Sequence, residues 1–181
     1  MKTRTFQRPQ QTRGGCGVWG GEGGAMIITE EDARAFLRGL FAAYNKRDWE
    51  TFFGEYVWED CLFVNGDGIH SGREKMIQFW EEAIFRTKEE TLLEPVSVFV
   101  RADQIAAELP LKLYFKQDDT YAGVRFKKGD EITLRCADFY KLRNGKISEF
   151  TVYRFTPWWL KDWAGDWVSF ERIVRRDCPD V

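Results

Sequence analysis

The hydrophobic pattern of this chain changes its period once, near Pro95. Before that proline, apolar residues recur every three or four positions, which is typical of amphipathic helices. After it, apolar and polar residues alternate, which is typical of strands with one buried face. Helices followed by a long antiparallel sheet with one apolar face predict an α+β fold in which the helices cover that face. We expect the sheet to curve strongly around the helices, as a cone with a pocket inside.

Three amino-terminal helices are predicted, each with its own start signal. Thr29 is a good N-cap, with Asp32 three residues later as a capping-box variant. Asp48 caps a second, shorter helix, and Ser71 with Glu74 forms a capping box for the third. The apolar faces of the three helices consist of Ala33, Phe36, Leu37, Leu40, Phe41 and Tyr44; of Trp49, Phe52, Phe53 and Tyr56; and of Met76, Ile77, Phe79, Trp80, Ala83 and Ile84.

Five strands are predicted to build the sheet. They cover residues 57–65, 96–100, 107–115, 133–142 and 146–155, with a polar hairpin region at 118–130. The last two strands are joined by a tight turn at Arg143-Asn144-Gly145. We expect one folded domain over residues 26–156, preceded by a flexible extension over residues 1–25, which is rich in Gly, Gln and Arg and lacks periodicity.

The segment 157–181 is unusually rich in tryptophan. Pro157 predicts the start of a short helix and Gly165 its end, and residues 167–175 can form another. Its tryptophans Trp158, Trp159, Trp163 and Trp167 are together too apolar to remain in water as a patch. We expect this helical tail to cover the mouth of the cone as a lid, to cover the outer face of the sheet, or to form a dimer contact.

Composition excludes several classes of protein. Lys and Arg number 27 against 29 Asp and Glu, which argues against a nucleic-acid footprint. No apolar run approaches the roughly 20 residues of a membrane span, and the amino terminus lacks the apolar region of a secretory signal. The four cysteines lie far apart, so we expect reduced thiols in a cytoplasmic protein. With a single histidine, no zinc site is expected, and no other cofactor.

The most informative candidate residue is Asp138, in the strand that precedes the Asn144 turn. At period two it shares a face with Cys136, Tyr140 and Leu142, while the opposite face carries charged residues. Asp138 is therefore predicted to point into the protein. A buried carboxylate costs several kcal/mol unless it is paired or protonated, and catalytic acids are often made this way. As a purely structural alternative, Asp138 pairs with Arg154 or accepts a hydrogen bond from Tyr140.

The order of these elements resembles the nuclear transport factor 2-like superfamily, with its cystatin-like α+β barrel. Within it, the chain is most similar to the SnoaL-like cyclases and the ketosteroid isomerases. The resemblance covers about residues 30–155 and rests on the segments FLRGLFAAYNKRDWETFF, IHSGREKMIQFW and DFYKLRNGKI. Each segment alone is a weak motif, but their order and spacing together are fairly specific to the fold. They are not specific to an activity, because this fold hosts enzymes, ligand carriers and interaction domains.

The resemblance carries over to individual residues. Asp138 falls where ketosteroid isomerases keep a carboxylic acid that hydrogen-bonds the substrate oxyanion. Phe79 and Trp80 fall where the isomerases line their pocket, and Tyr44 and Leu40 face the same cavity. The resemblance departs from the isomerases at two positions. Their acid-partnering tyrosine would fall at Leu40, and their general base would fall near Asn65. An amide cannot take a proton, which argues against steroid isomerase chemistry as such.

The predicted site combines these positions with other candidates. The catalytic candidates are Asp138, His70 near the pocket rim, and Arg154 as a counter-ion or oxyanion donor. The candidate substrate-binding residues are Tyr44, Trp58, Phe63, Asn65, Phe79, Trp80 and Tyr140. For the aromatic residues the alternative is a place in the core, and for His70 it is an ordinary place at the surface.

Two classes of function remain open. The first is a cofactor-independent acid–base enzyme, an isomerase, cyclase or dehydratase (a lyase), acting on a small apolar oxygenated metabolite such as a polyketide or terpenoid intermediate. The second is a non-catalytic small-molecule-binding or dimerisation module of the same fold. Either would act as a homodimer, with no nucleic acid and no membrane as partner. A cavity of a few hundred Å³ in which Asp138 meets a second polar group favours the enzyme, whereas a filled, dry cone favours the module.

Overall fold

A computed structural model describes residues 29–153 and the backbone of two short strands further along, Leu160–Lys161 and Trp167–Val168. The extension expected over residues 1–25, the position of Arg154 and most of the tail expected over 157–181 lie outside the described residues. Within the described part, no helix is long and apolar enough to cross a membrane.

The helices begin largely where the capping residues predict. Helix α1 spans Glu30–Lys46, and the Thr29 hydroxyl accepts a hydrogen bond from the Asp32 amide, so the predicted capping box is present. Helix α2 covers Trp49–Thr51, is capped by Asp48, and continues as a π-helix over Phe52–Tyr56.

The start of the third helix differs from the prediction. Helix α3 covers Arg73–Phe79 and continues as a π-helix over Trp80–Phe85. Its N-cap is Gly72 at a φ of 84°, a conformation that favours glycine. The predicted capping box from Ser71 is wrong, because Ser71 is the last residue of a strand.

Within residues 29–153, seven strands form one curved sheet and two more form a separate hairpin. The sheet strands are β1 (Val57–Asn65), β2 (Gly68–Ser71), β3 (Lys88–Leu92), β4 (Ser97–Arg101), β5 (Gln104–Phe115), β8 (Glu131–Arg143) and β9 (Lys146–Tyr153). The hairpin consists of β6 (Asp119–Tyr121) and β7 (Val124–Phe126). The order in the sheet is β2-β1-β9-β8-β5-β3, with β4 also paired to β5. The predicted α+β cone with helices on its inner face is confirmed.

The sheet is mixed rather than fully antiparallel. Strand β1 runs parallel to β9, with Phe63 beside Phe150, whereas the other neighbouring strands are antiparallel. Strands joined by a hairpin must run antiparallel. Between β1 and β9 lie α3 and the intervening strands, so no hairpin sets their relative direction, and the expectation of a purely antiparallel sheet is wrong at this pair.

The two faces of β8 largely follow the predicted alternation. Asp138 and Tyr140 are buried on the inner face, and Phe139 and Lys141 are exposed on the outer face. Arg135 is the exception, because it belongs to the outer face but is only 7% exposed, and its guanidinium lies 3.6 Å from the Glu108 carboxylate. The inner face and the helices share a core whose largest fully buried side chains include Leu37, Phe53, Phe63, Met76, Leu109 and Leu113.

The backbone beyond residue 153 departs from the helical prediction where it is described. Strands β10 (Leu160–Lys161) and β11 (Trp167–Val168) pair antiparallel, with Leu160 opposite Val168. The predicted helices are therefore wrong at these four positions.

Candidate functional site

A cavity of about 40 Å³ lies between α1 and the inner face of the sheet. Its apolar wall is mostly aromatic and includes Leu40, Phe41, Phe52, Phe63, Trp80 and Phe150. Four polar side chains also line it, as two pairs of one carboxylic acid and one tyrosine, which we call the acid–phenol pairs. The volume is enough for about one or two water molecules.

The first acid–phenol pair is Asp138 with Tyr140, two residues apart on the inner face of β8. The Tyr140 hydroxyl donates a hydrogen bond of 2.8 Å to the Asp138 carboxylate, which is 4% exposed. Burial, followed by the charge of Asp138, raises the pKa of Tyr140 well above its ordinary value. Tyr140 is therefore protonated at neutral pH and acts as a fixed donor to the acid.

The second acid–phenol pair is Glu90 with Tyr44. Strand β3 carries Glu90, which is 5% exposed, and α1 carries Tyr44, whose hydroxyl donates a hydrogen bond of 3.0 Å to the carboxylate. The sequence gives little sign of Glu90 because it lies in the polar run KEETL. The signal that could have found it is the alternation of Lys88, Glu90 and Leu92 along that run.

Aromatic rings hold both pairs in an apolar setting. Tyr44 packs edge-on to Trp80 with ring centroids 5.4 Å apart, and Phe63 stacks on Phe150 at 4.5 Å. Tyr140 lies 6.1 Å from Phe150, so the aromatic wall is continuous between the two pairs. In such surroundings a hydrogen bond or a charge acts more strongly than it does in water.

The sequence profile of the SnoaL-like domain matches residues 37–150, which is more than half of the chain. The match includes all four residues of the acid–phenol pairs. The chain belongs to the SnoaL-like domain family. The resemblance to the nuclear transport factor 2-like superfamily is thereby confirmed.

Several solved structures share the fold of this chain. A candidate polyketide cyclase from Pseudomonas putida KT2440 is 25% identical, with a TM-score of 0.56 over 68% of this chain and 91% of the other. One from Xanthomonas campestris pv. campestris is 21% identical, with a TM-score of 0.57 over 68% and 90%. An LEH-like epoxide hydrolase from M. tuberculosis is 11% identical, with a TM-score of 0.51 over 67% of this chain and 80% of the other. No curated protein matches the chain by sequence.

This SnoaL-like domain brings five of the predicted site residues to one cavity. Asp138, Tyr44, Phe63, Trp80 and Tyr140 all line it. They come from α1, β1, the π-helix after α3, and β8, so residues distant in sequence converge on the inner face of the sheet.

His70 and Phe79 do not line the cavity, but both pack against Phe63, which does. The imidazole of His70 is 4.2 Å from the ring of Phe79 and 5.6 Å from that of Phe63, measured between centroids. Its Nε2 atom is buried and has no hydrogen-bond partner in the described part of the chain. Phe63 belongs to the cavity wall, so His70 supports that wall from behind.

Two other predicted substrate-binding residues have local structural roles. Trp58 donates a hydrogen bond of 2.6 Å to the Arg143 carbonyl, and its ring lies under the Arg143 and Lys146 cations. Asn65 accepts hydrogen bonds from the amides of Asp67 and Gly68, which closes the β1–β2 turn. Neither residue lines the cavity. The substrate contacts predicted for them are therefore corrected: Trp58 points away from the inner face of β1, and Asn65 ends the strand.

Neither a metal site nor a cysteine nucleophile is evident in the described part. No group of three His, Cys, Asp or Glu residues there is placed to hold a metal ion. Cys61 is a free thiol, and burial raises its pKa to about 12, so it is unreactive at neutral pH. The Cys136 sulfur lines the cavity and lies 3.6 Å from the Leu109 carbonyl oxygen. The ionisable side chains that line the cavity are two carboxylic acids, two phenols and the Cys136 thiol.

Proposed function

We propose that the cavity is the active site of a cofactor-independent acid–base enzyme that isomerises, cyclises or dehydrates a small apolar oxygenated molecule. The observation that carries this proposal is the position of Asp138, a 96% buried acid that lines an aromatic cavity. Its 2.8 Å hydrogen bond from Tyr140 is the one that the structural alternative predicts, so the substitution described below has to separate the two roles. Buried acids with a defined hydrogen-bond partner are a common form of catalytic acid or base.

Asp138 is the proton-transfer group in this proposal. It gives a proton to a carbonyl or hydroxyl oxygen of the substrate, or takes one from a hydroxyl. Tyr140 orients the carboxylate by donating to one of its oxygens, and a carboxylate can still accept hydrogen bonds at its other lone pairs. The aromatic wall excludes water, which protects a reactive intermediate and strengthens each polar contact.

The side chains that line the cavity indicate the class of substrate. A wall of Phe41, Phe52, Trp80 and Phe150 suits a flat, apolar carbon skeleton, and the acid suits an oxygen on that skeleton. Polyketide and terpenoid intermediates have this character. The related fold of candidate polyketide cyclases from Pseudomonas and Xanthomonas supports the same class.

The second catalytic group, which acts on the substrate together with Asp138, is either Arg154 or His70. Strand β9 pairs Val152 with Asp138, and Phe150 and Val152 line the cavity. Arg154 is the partner that the alternation of the sequence predicts, and it lies outside the described residues. His70 is the less direct partner because the Phe63 ring stands between it and the cavity. The homodimer and the cytoplasmic location expected from the sequence stay predictions.

One observation favours the non-catalytic alternative. A cavity of about 40 Å³ is far below the roughly 300 Å³ of an ordinary ligand pocket. Catalysis therefore requires the aromatic wall to open around the substrate, whereas a module that only binds a partner through its surface does not.

A substitution at Asp138 tests the proposal. Purified protein is incubated with a panel of polycyclic phenols, hydroxyketones and terpenoid alcohols, and products are detected by mass spectrometry and NMR. With any substrate so found, Asp138→Asn should lower turnover by roughly 10²–10⁴-fold, because the amide fits the site but transfers no proton. The melting temperature should change little, since Asn still accepts from Tyr140.

The matched control is Asp103→Asn, an exposed acid in the β4–β5 turn, which should leave turnover unchanged. Full turnover with Asn at position 138 would end the catalytic assignment. A large fall in melting temperature with turnover retained would show that Asp138 is a structural acid.

A further inference from the structure

We propose that Glu90, held by Tyr44, is a second polar pole of this cavity, so that the ligand carries two oxygen functions, one for Glu90 and one for Asp138. This inference rests on the proposed function of the same cavity and narrows its substrate class. It concerns a residue that neither the sequence pattern nor the resemblance to isomerases indicates.

Glu90 reaches the cavity from a different side than Asp138 does. It lies on β3 opposite Leu113 of β5, whereas Asp138 lies on β8 opposite Ala107 of β5. Leu113 and Ala107 are six residues apart on one strand, which is at most roughly 20 Å. The two acids therefore enter the cavity from opposite sides of β5 and at different heights along it.

Tyr44 fixes the position of the Glu90 carboxyl group. The phenol donates to one oxygen, Oε1, at 3.0 Å. A carboxyl group has several lone pairs, so a ligand hydroxyl can bind to it beside Tyr44. Tyr44 is itself held by Trp80 at 5.4 Å and Phe85 at 5.6 Å, which fixes the direction of the phenol.

The region between the two poles is apolar. Leu111 and Leu92 line the cavity near Glu90, and Phe63 and Phe150 line it near Asp138. A ligand that contacts both acids must therefore place a hydrocarbon or aromatic skeleton between two hydroxyl or carbonyl oxygens. A molecule with a single oxygen function leaves one buried acid without that contact.

Matched pairs of phenols test the second pole. Phenol is compared with hydroquinone, and 2-naphthol with naphthalene-2,6-diol, so that each pair differs by one distal hydroxyl on a skeleton of given length. Dissociation constants are measured by calorimetry and ligand-observed NMR. In at least one pair, the second hydroxyl should tighten binding about tenfold, the size of one hydrogen bond to a charged group.

The double variant Tyr44→Phe/Glu90→Met should abolish that tenfold gain, so that the two members of each pair bind with the same affinity. Replacing both partners of a buried hydrogen bond with apolar groups of similar shape is close to neutral for stability. Should the double variant not fold, Glu90→Gln keeps the shape and the Tyr44 bond but makes the ligand contact a neutral one, which should cut the gain. Glu89→Gln, on the outer face of the same strand, is the control and should preserve the gain.

Equal affinities within both pairs of phenols, or a gain that persists in the double variant, would overturn the second pole. In either case the proposed function stands if Asp138→Asn still weakens the binding of 2-naphthol. If none of the four phenols binds, both the second pole and the proposed use of this cavity fall.

Discussion

Lys88 and Glu90 are both buried charged side chains on the same face of β3, two residues apart, yet their surroundings differ. Lys88, 8% exposed, forms an ion pair with Asp119 of the β6–β7 hairpin and a hydrogen bond to Thr87. Glu90 accepts a hydrogen bond from a neutral phenol and faces the cavity. We call the region around Lys88 and Asp119 the closed end of the cone, and we contrast it with the cavity that Glu90 lines.

The different surroundings of these two side chains show that burial alone does not identify a functional group. At the closed end Phe115 stacks on Phe126 with centroids 4.2 Å apart, and the Lys88 ammonium lies 5.9 Å from the Phe115 ring. The charge there has an opposite charge as its partner within a filled space, as expected of a structural ion pair. In the cavity, by contrast, each acid accepts a hydrogen bond from a neutral phenol and lines an aromatic space.

The largest effect on stability is expected at the closed end. Phe126→Ala should lower the free energy of unfolding by about 3–5 kcal/mol, because Phe126 is 1% exposed and its loss leaves a void against Phe115. Urea unfolding measures this cost. The affinity for 2-naphthol should not change, since Phe126 does not line the cavity.

Phe139→Ala is the control, because that phenylalanine is 48% exposed on the outer face of β8. It should cost far less than Phe126→Ala. A similar cost for both variants would mean that the closed end is not the filled region described above.

A smaller effect is expected for the ion pair at the same end. Burial acts to raise the pKa of Asp119, but hydrogen bonds from Lys88 and Thr87 outweigh it and hold the pKa below its usual 3.8. The stability that this acid contributes is therefore present above about pH 4 and is lost as the pH falls through the lowered pKa. Asp119→Asn should cost about 1–3 kcal/mol at pH 7, because it leaves Lys88 buried without its counter-charge.

Urea unfolding of the wild type and of Asp119→Asn at pH 7 and pH 3 measures this dependence of stability on pH. The difference between the proteins should shrink at the lower pH, because below the usual pKa of 3.8 this acid takes up a proton in the unfolded wild type before it does so in the folded protein. A difference that is the same at both values would show that the charge of Asp119 contributes nothing to this end.

Sequence reasoning predicts the parts of the fold in which one face of an element is apolar. Alternation gives the bounds of β1 as Val57–Asn65 and places β5, β8 and β9 within a few residues. It misses β2, which has only four residues, and β3, whose inner face begins with Lys88 and Glu90. The pairing of β1 with β9 brings together residues far apart in sequence, and no local pattern encodes it.

In the candidate site, too, the hydrophobic pattern predicts some residues and misses others. Asp138 is predicted correctly to face inward because its strand neighbours on that face, Cys136 and Tyr140, are mostly apolar. Glu90 is missed because a hydrophobic pattern cannot separate an inward-facing acid from a solvated one. Asn65 is assigned to the pocket by resemblance, whereas the glycines after it make it the closing residue of a turn.

The smallest stability effect is expected in the cavity, at Tyr140. Tyr140→Phe removes one hydroxyl and its bond to Asp138, and should cost about 1 kcal/mol at pH 8, less than Asp119→Asn costs at pH 7. The loss is limited because the cavity can hold a water molecule that replaces the phenol as donor.

The effect of Tyr140→Phe on stability also depends on pH, in the sense opposite to that of Asp119→Asn. Because the pKa of Tyr140 is raised in the folded state above its usual 10.0, its contribution is complete below pH 10 and is lost as the pH rises through the folded pKa. Urea unfolding at pH 8 and pH 10.5 should therefore show the wild type losing its advantage over Tyr140→Phe at the higher pH. Tyr153→Phe, on an exposed tyrosine of the outer face, controls for the general effect of alkaline pH. If the difference between wild type and Tyr140→Phe stays constant across that range, the phenol is not held protonated beside Asp138, and the contrast between the cavity and the closed end loses its electrostatic basis.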